Sequence, residues 1–242
     1  MGWKEYYQIC PESYYCRSGR GLLKRVLRES SCSPLAKKES LRLVLGGFSP
    51  HSSTAAAFIN DCGLFRSQKR DEIYLLDFNR QPFEKASLPL LSKEKKLFRV
   101  QADLAKMPFA DESLDLIWLD GTTSFMDNRK LAGFGREAQR VLTREGIAIS
   151  FSHEPFICLF PSSRFSRSCW VNKTQVYSRS AQESLSLLKD LKLIYNFAGD
   201  QETALVFAKK DSPYKPFSGR PFALELFCHS DESQNQLILN FK

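Results

Sequence analysis

Short apolar runs separated by helical segments dominate the chain between about residues 40 and 210. Seven of these runs have the composition of β-strands, and they read LRLVLGG, EIYLLDF, FRVQAD, LDLIWLD, IAISF, LIYNFAG and TALVFAKK. Between them lie stretches typical of helices, among them SSTAAAFINDCG and SAQESLSLLKDLK. Strands that alternate with helices form a mostly parallel sheet with helices on both faces. The pattern therefore predicts an α/β fold built on a seven-stranded sheet.

The two ends of the chain depart from this central pattern. Residues 1–39 are aromatic and basic, and GRGLLKRVLRES within them reads as a short amphipathic helix, which predicts an N-terminal helical flap. After residue 211 the turn-rich DSPYKPFSGRP leads into ALELFCH–SDESQN–QLILNF, which is typical of a β-hairpin with a polar loop. We expect a flap at 1–39, a core domain at 40–210 and a C-terminal hairpin extension at 211–242.

Composition narrows the class of protein. The chain has 242 residues, of which 43% are hydrophobic and 26% charged, as in soluble globular proteins. No apolar run approaches the roughly 18 residues needed to span a bilayer, and the start MGWKEYYQIC lacks the layout of a secretory signal. The seven cysteines are dispersed without a C-x-x-C pair, and there are only three histidines. These features predict a cytoplasmic protein with reduced thiols, no zinc site and no membrane partner.

The net charge adds one expectation about partners. A formal charge of +8 and a pI near 9.1 favour anionic partners. The charge lies in three short clusters, at residues 17–28, 93–96 and 164–173, rather than in one run. Nucleic acid is thus a possible partner but not a favoured one.

Four motifs follow one another in a fixed order between Phe98 and Phe151. They are a strand-end acid (Asp103), a turn (Met107-Pro108-Phe109), an acidic box (Asp111 to Asp115) and a helix end with a turn (Arg140 to Gly146). This order resembles the second half of the class I S-adenosylmethionine-dependent methyltransferases, in their small-molecule, methyltransferase type 11-like branch. The resemblance extends over about residues 40–210. It implies a Rossmann-like fold, S-adenosylmethionine as cofactor and a small-molecule methyl acceptor. The aromatic residues of the flap favour a flat or apolar acceptor, and the basic residues of the loop at 155–177 favour an anionic one.

The resemblance also implies a set of cofactor-binding residues. LRLVLGGFSPHSST matches the family's glycine motif in part: Gly47 stands at the first glycine, Ser49 at the second and His51 at the third, while Leu45 replaces the usual acid. Asp77 would bind the ribose hydroxyls, although helix capping is its alternative role. Asp103 would accept the adenine amino group. The full predicted set is Gly46, Gly47, Ser49, Asp77, Phe78, Asp103, Leu104 and Asp120.

Candidate catalytic residues follow from the chemistry of methyl transfer. In-line displacement at a sulfonium requires alignment of the nucleophile and often removal of a proton, and it requires no metal. His153 and Glu154, just after the fifth predicted strand, and Asp120, at the end of the fourth, are candidate bases. A lone histidine is more often a packing or surface residue. The loop at 155–177 is expected to shape the acceptor site, with the N-terminal tyrosines either as a lid or as packing.

Two alternatives remain open. Leu45, Ser49 and His51 favour a methyltransferase-fold protein that no longer catalyses and instead binds a partner. The positive charge alone favours an RNA or protein methyltransferase. The fourth predicted strand ends in Trp118-Leu119-Asp120-Gly121 rather than in the Asn/Asp-Pro-Pro-Tyr/Phe motif of amino-group nucleic-acid methylases, which lowers the nucleic-acid alternative.

Overall fold

The elements of the fold are taken from a computed structural model, which describes residues 23, 26, 33–47, 58–59, 70–80, 83, 96–153, 168–171, 174–177, 179, 181–198, 202–218, 220 and 222–223. The strands are β1 (Arg42–Gly46), β2 (Glu72–Asp77), β3 (Lys96–Gln101), β4 (Leu114–Asp120), β5 (Leu142–His153), β6 (Ser168–Val171), β7 (Thr174–Tyr177), β8 (Leu191–Ala198), β9 (Glu202–Lys209) and β10 (Phe222–Ala223). The helices are α1 (Ser33–Lys37), α2 (Asn128–Val141) and α3 (Ala181–Leu187), with a 3-10 helix at Thr122–Phe125.

One large sheet organises these elements. Its strand order is β10-β8-β9-β5-β4-β1-β2-β3, and β6 pairs separately with β7 as an antiparallel hairpin. Strands β1 to β5 are mutually parallel where they pair, whereas β9 runs antiparallel to both β5 and β8. The seven predicted strands are all present, so the predicted mostly parallel α/β sheet is confirmed. The two-residue β10 adds an eighth strand, parallel to β8.

The central strands are buried on both faces, which is why they read as continuous apolar runs in the sequence. Six of the seven residues of β4 are buried. Side chains of alternate residues pack into two cores, with Leu43 and Trp118 in one and Val44 and Ile117 in the other. Helix α2 covers the second core with Leu131, Phe134, Ala138 and Val141, and helical Phe58 and Ile59 belong to the first. Helices therefore lie on both faces.

Arg140, in the last turn of α2, joins two of the sequence motifs. Its guanidinium donates to the carbonyl of Met107 at 3.0 Å and to that of Phe109 at 2.8 Å. It also donates to both carboxylate oxygens of Glu137, at 2.8 and 3.2 Å, and to Asp111 at 2.7 Å. Glu137 in turn accepts the backbone N–H of Met107 at 3.0 Å. The turn and the helix end are thus parts of one hydrogen-bonded unit.

The predicted turn after Arg140 is the irregular beginning of β5. Helix α2 ends at Val141, and the pairing of β5 with β4 shifts register between Leu142 and Ile147. Gly146 lies in this irregularity, where a Cβ atom would come within 2.8 Å of the carbonyl oxygen of Leu114. Glycine is required there by the close approach of the two backbones.

The described parts of both chain ends pack onto the core. At the N-terminal side Leu23, Val26 and Leu35 are buried, and Lys38 Nζ donates to Asp115 Oδ1 at 2.8 Å. At the C-terminal side Tyr214 is buried and donates its hydroxyl to the carbonyl of Glu145 at 2.6 Å. The predicted hairpin after residue 223 lies outside the described residues. In the described part of the chain no helix has the length and apolarity to cross a membrane.

Candidate active site

The strand order reverses direction between β1 and β4, and this is where α/β sheets bind ligands. From β1 the chain proceeds outward to β2 and β3, and then returns to β4 and β5 on the other side of β1. Gly46 at the end of β1 is in register with Leu76 of β2 and Leu119 of β4. The residues that follow these positions therefore lie at one edge of the sheet.

Gly46 and Gly47 form the turn that leaves β1. Gly47 has a φ of +65° and donates its N–H to the carbonyl of Leu76 at 2.8 Å. A Cβ on Gly46 would lie 2.7 Å from Leu104 Cδ2 and 2.8 Å from Leu119 Cδ2, so the side chains of neighbouring segments close around it. Both glycines thus lie at this edge of the sheet, whereas Ser49 and His51 fall outside the described residues.

Thr122 connects the end of β4 to this glycine turn. Its hydroxyl donates to the carbonyls of Gly46 and Gly47, both at 2.9 Å, and lies 3.4 Å from the carbonyl oxygen of Asp120. Gly121, in the left-handed region with a φ of 66°, directs the chain into the 3-10 helix that carries Thr122. The ends of β1 and β4 are consequently linked by one side chain.

Asp77 and Phe78 stand at the end of β2 with opposite exposures. The Asp77 side chain is buried, and its Oδ1 accepts the N–H of Asn79 at 2.7 Å. The Phe78 side chain is 75% exposed, and Lys130 Nζ lies 5.9 Å from the centroid of its ring. The end of β2 therefore offers a carboxylate beside an accessible aromatic ring.

Asp103 and Leu104 follow β3 in a tight turn. Asp103 is exposed, its Oδ1 accepts the N–H of Ala105 at 2.9 Å, and its carbonyl accepts the N–H of Lys106 at 2.9 Å. Leu104 is buried against Gly46. Asp103 lies two residues beyond the end of β3, at the same edge as Asp77, since Asp77 and Gln101 are in register.

The candidate bases lie on neighbouring strands. Asp120 is half-buried and in register with Phe151 of β5, and the next residue, Gly121, donates its N–H to the carbonyl of Phe151 at 2.9 Å. His153 ends β5 two residues beyond Phe151 and pairs with Glu202 of β9. Glu154 falls outside the described residues. The backbone of His153 thus lies at the edge that carries Asp120.

Arg179 is a residue that the sequence analysis did not single out. It follows β7 and donates to the carbonyls of Thr123 at 2.9 Å and Met126 at 2.5 Å, and to Asn128 Oδ1 at 2.9 and 3.1 Å. Its guanidinium lies 4.8 Å from the ring centroid of Tyr177, and burial lowers the pKa of this group from its ordinary value. Arg179 therefore ties the β6–β7 hairpin to the segment between β4 and α2.

Comparison with known proteins identifies a matching domain and a shared fold. Residues 62–150 match the family model described as a methyltransferase domain. No curated protein sequence matches the chain. Several solved structures share its fold. A S-adenosylmethionine-dependent methyltransferase from Clostridium acetobutylicum is 9% identical, with a TM-score of 0.55, over 74% of this chain and 87% of that one.

Two others differ in their ligands and partners. Geranyl diphosphate C-methyltransferase from Streptomyces coelicolor, solved with Mg²⁺, geranyl-S-thiolodiphosphate and S-adenosyl-L-homocysteine, is 10% identical, with a TM-score of 0.52, over 79% of this chain and 75% of that one. A candidate methyltransferase from Haloferax volcanii, solved with the Trm112 methyltransferase activator, is 13% identical, with a TM-score of 0.52, over 83% of this chain and 94% of that one. Residues 62–150 thus match a methyltransferase domain, and the chain shares its fold with S-adenosylmethionine-dependent methyltransferases.

Proposed function

We propose that this protein transfers a methyl group from S-adenosylmethionine to a small-molecule acceptor at the edge where β1 to β5 end. The observation that carries the proposal is the convergence of predicted residues from successive strands on that edge. Gly46 and Gly47 leave β1, Asp77 ends β2, Asp103 follows β3 and Asp120 ends β4. When bound, the cofactor supplies an electrophilic methyl group on a sulfonium.

The adenosine end of the cofactor fits the residues beyond β2 and β3. The Asp77 carboxylate is held by the N–H of Asn79 and would accept hydrogen bonds from the ribose hydroxyls. The exposed Phe78 ring offers an apolar face for the adenine base. Asp103 is exposed and suits the adenine amino group, since a carboxylate accepts from an amine, and Leu104 supplies neighbouring backbone.

The amino-acid end of the cofactor belongs at the glycine turn. Gly46 and Gly47 carry no side chain, but the side chain of Thr122 lies against Gly47. These residues therefore fit this half of the cofactor once Thr122 has turned aside. Asp120, the last residue of β4, would then face the reacting methyl group.

For catalysis, Asp120 and His153 would accept a proton from the acceptor, with Glu154 as a further candidate. Their strands are neighbours, so that a group bound beyond β4 is within reach of residues from both. The β6–β7 hairpin lies against the 3-10 helix after β4 and would help to exclude water there.

A small acceptor is supported by the position of the β6–β7 hairpin, which lies against the segment after β4 where the acceptor would bind. Strand β7 and Arg179 cover the segment after β4, which leaves less room for a folded macromolecule. An RNA or protein acceptor is favoured by the net charge of +8 and by the likeness to a protein solved with Trm112. Incubation with radiolabelled S-adenosylmethionine, followed by separate counting of label in small metabolites, RNA and protein, decides between them. Label confined to RNA or protein would overturn the small-molecule acceptor.

Calorimetric titration with S-adenosylmethionine and S-adenosylhomocysteine tests the cofactor site. We expect micromolar binding, and Asp77→Ala is expected to weaken it about tenfold or more, because a hydrogen bond to a charged group contributes about 1.5–3 kcal/mol. Asp211→Ala is the matched control, since Asp211 is exposed and follows β9 at the opposite edge of the sheet. Absence of binding by the folded wild-type protein would refute the proposal and favour a non-catalytic binding role.

A further inference from the structure

The Thr122 side chain occupies the space that Gly47 leaves open at the end of β1. A Cβ atom on Gly47 would lie 2.4 Å from both Cγ2 and Oγ1 of Thr122. Glycine in such a turn lets a ligand approach the backbone closely. Here the close approach is made by a side chain of the protein itself.

Three backbone carbonyls face the Thr122 hydroxyl. The oxygens of Gly46 and Gly47 lie 2.9 Å from Oγ1, and that of Asp120 lies 3.4 Å away. A hydroxyl has a single proton to donate, so these acceptors must share it. A primary ammonium has three protons and can donate to several carbonyls at once. The three carbonyls together are thus better matched to an ammonium, which can donate to each of them, than to the threonine hydroxyl.

We propose that Thr122 competes with the ammonium group of the cofactor's amino-acid part and thereby sets the affinity of this chain for S-adenosylmethionine. This inference rests on the proposed function, since the competing ammonium belongs to that cofactor. To admit the ammonium, Thr122 turns to another staggered rotamer and gives up its hydrogen bonds to Gly46 and Gly47. The free energy of that displacement lowers the observed affinity, as for any ligand whose binding-competent state is a minor one.

Thr122→Ala removes the competitor. We expect it to bind S-adenosylhomocysteine about fivefold more tightly than the wild type in calorimetric titration, which corresponds to one net hydrogen bond of about 1 kcal/mol. Thr122→Ser keeps the hydroxyl and loses only Cγ2, so its affinity is expected to stay near that of the wild type. Thr122→Val, which keeps the volume and removes the hydroxyl, replaces the alanine variant if that variant does not fold, and is also expected to bind more tightly.

A second ligand separates the ammonium from the rest of the cofactor. Methylthioadenosine has the adenosine and the sulfur but no amino-acid part, so all variants are expected to bind it equally. Equal or weaker binding of S-adenosylhomocysteine by Thr122→Ala would overturn the inference, because Thr122 would then support the turn. An equal gain for methylthioadenosine would also overturn it. If no variant binds either ligand, the proposed function fails and the inference with it.

Discussion

Replacement of Arg140 by alanine tests whether the turn after β3 and the end of α2 form one unit. Arg140 donates to two backbone carbonyls and to two carboxylates. The Asp111 side chain is 75% exposed, so that pair contributes at most about 1 kcal/mol. The bonds to Glu137 and to the carbonyls are half-buried, and hydrogen bonds to a charged group contribute about 1.5–3 kcal/mol each before screening. Allowing for the 35% exposure of Arg140, we expect a loss of about 2–3 kcal/mol.

Urea unfolding at neutral pH measures this loss, with Arg136→Ala as the matched control. Arg136 is an exposed arginine one turn earlier on α2, so its replacement removes the same charge from the same helix. The control is expected to change the free energy of unfolding by less than about 0.5 kcal/mol. Equal losses in the two variants would refute the structural role of the Arg140 network.

Two further predictions concern the same network and the acceptor edge. The hydrogen bond from Arg140 lowers the pKa of Glu137 below its ordinary value of 4.5, so the stabilisation is fully present above that value and is lost as the pH falls through the folded-state pKa. Urea unfolding of wild type and Arg140→Ala between pH 7 and pH 3 should show their stabilities converging in acid, and a constant difference would contradict this. Arg179→Ala should speed hydrogen exchange at residues 121–128, because the carbonyls of Thr123 and Met126 lose a donor, while methylthioadenosine binding stays unchanged. Arg179→Lys should restore only part of the protection, and equal exchange in all three proteins would exclude the proposed tie.

The sheet could be predicted from the sequence because its central strands are buried on both faces. A run such as LDLIWLD has no solvent-facing positions, and six of its residues are in fact buried. Asp77, Asp103 and Asp120, which the family resemblance implied, lie at or just beyond the ends of β2, β3 and β4, and the ends of these parallel strands meet at one edge of the sheet. The two-residue β10 has no such pattern and could not be predicted, because its pairing with β8 depends on tertiary packing.

The contacts of Arg179 could not be predicted from the sequence. Its acceptors include backbone carbonyls 53 and 56 residues earlier in the chain, and any residue type can supply a carbonyl. In the Arg140 network, in contrast, the sequence showed that the turn and the helix end occur together. It did not show the hydrogen bonds that join them. What joins them is geometry: carbonyls of the turn accept from the guanidinium, and Glu137 accepts from the turn.

The segment between β4 and α2 makes hydrogen bonds to two different parts of the proposed site, the glycine turn after β1 and the β6–β7 hairpin. On one side Thr122 donates to the glycine turn, and on the other Arg179 donates to Thr123 and Met126. Thr122 and Thr123 are adjacent in the same four-residue 3-10 helix, so a rotation that releases Thr122 acts directly beside the carbonyl that Arg179 holds. Under the proposed function, we expect a ligand that displaces Thr122 also to alter how firmly Arg179 holds the β6–β7 hairpin, and by linkage we expect the acceptor to alter the affinity for the cofactor.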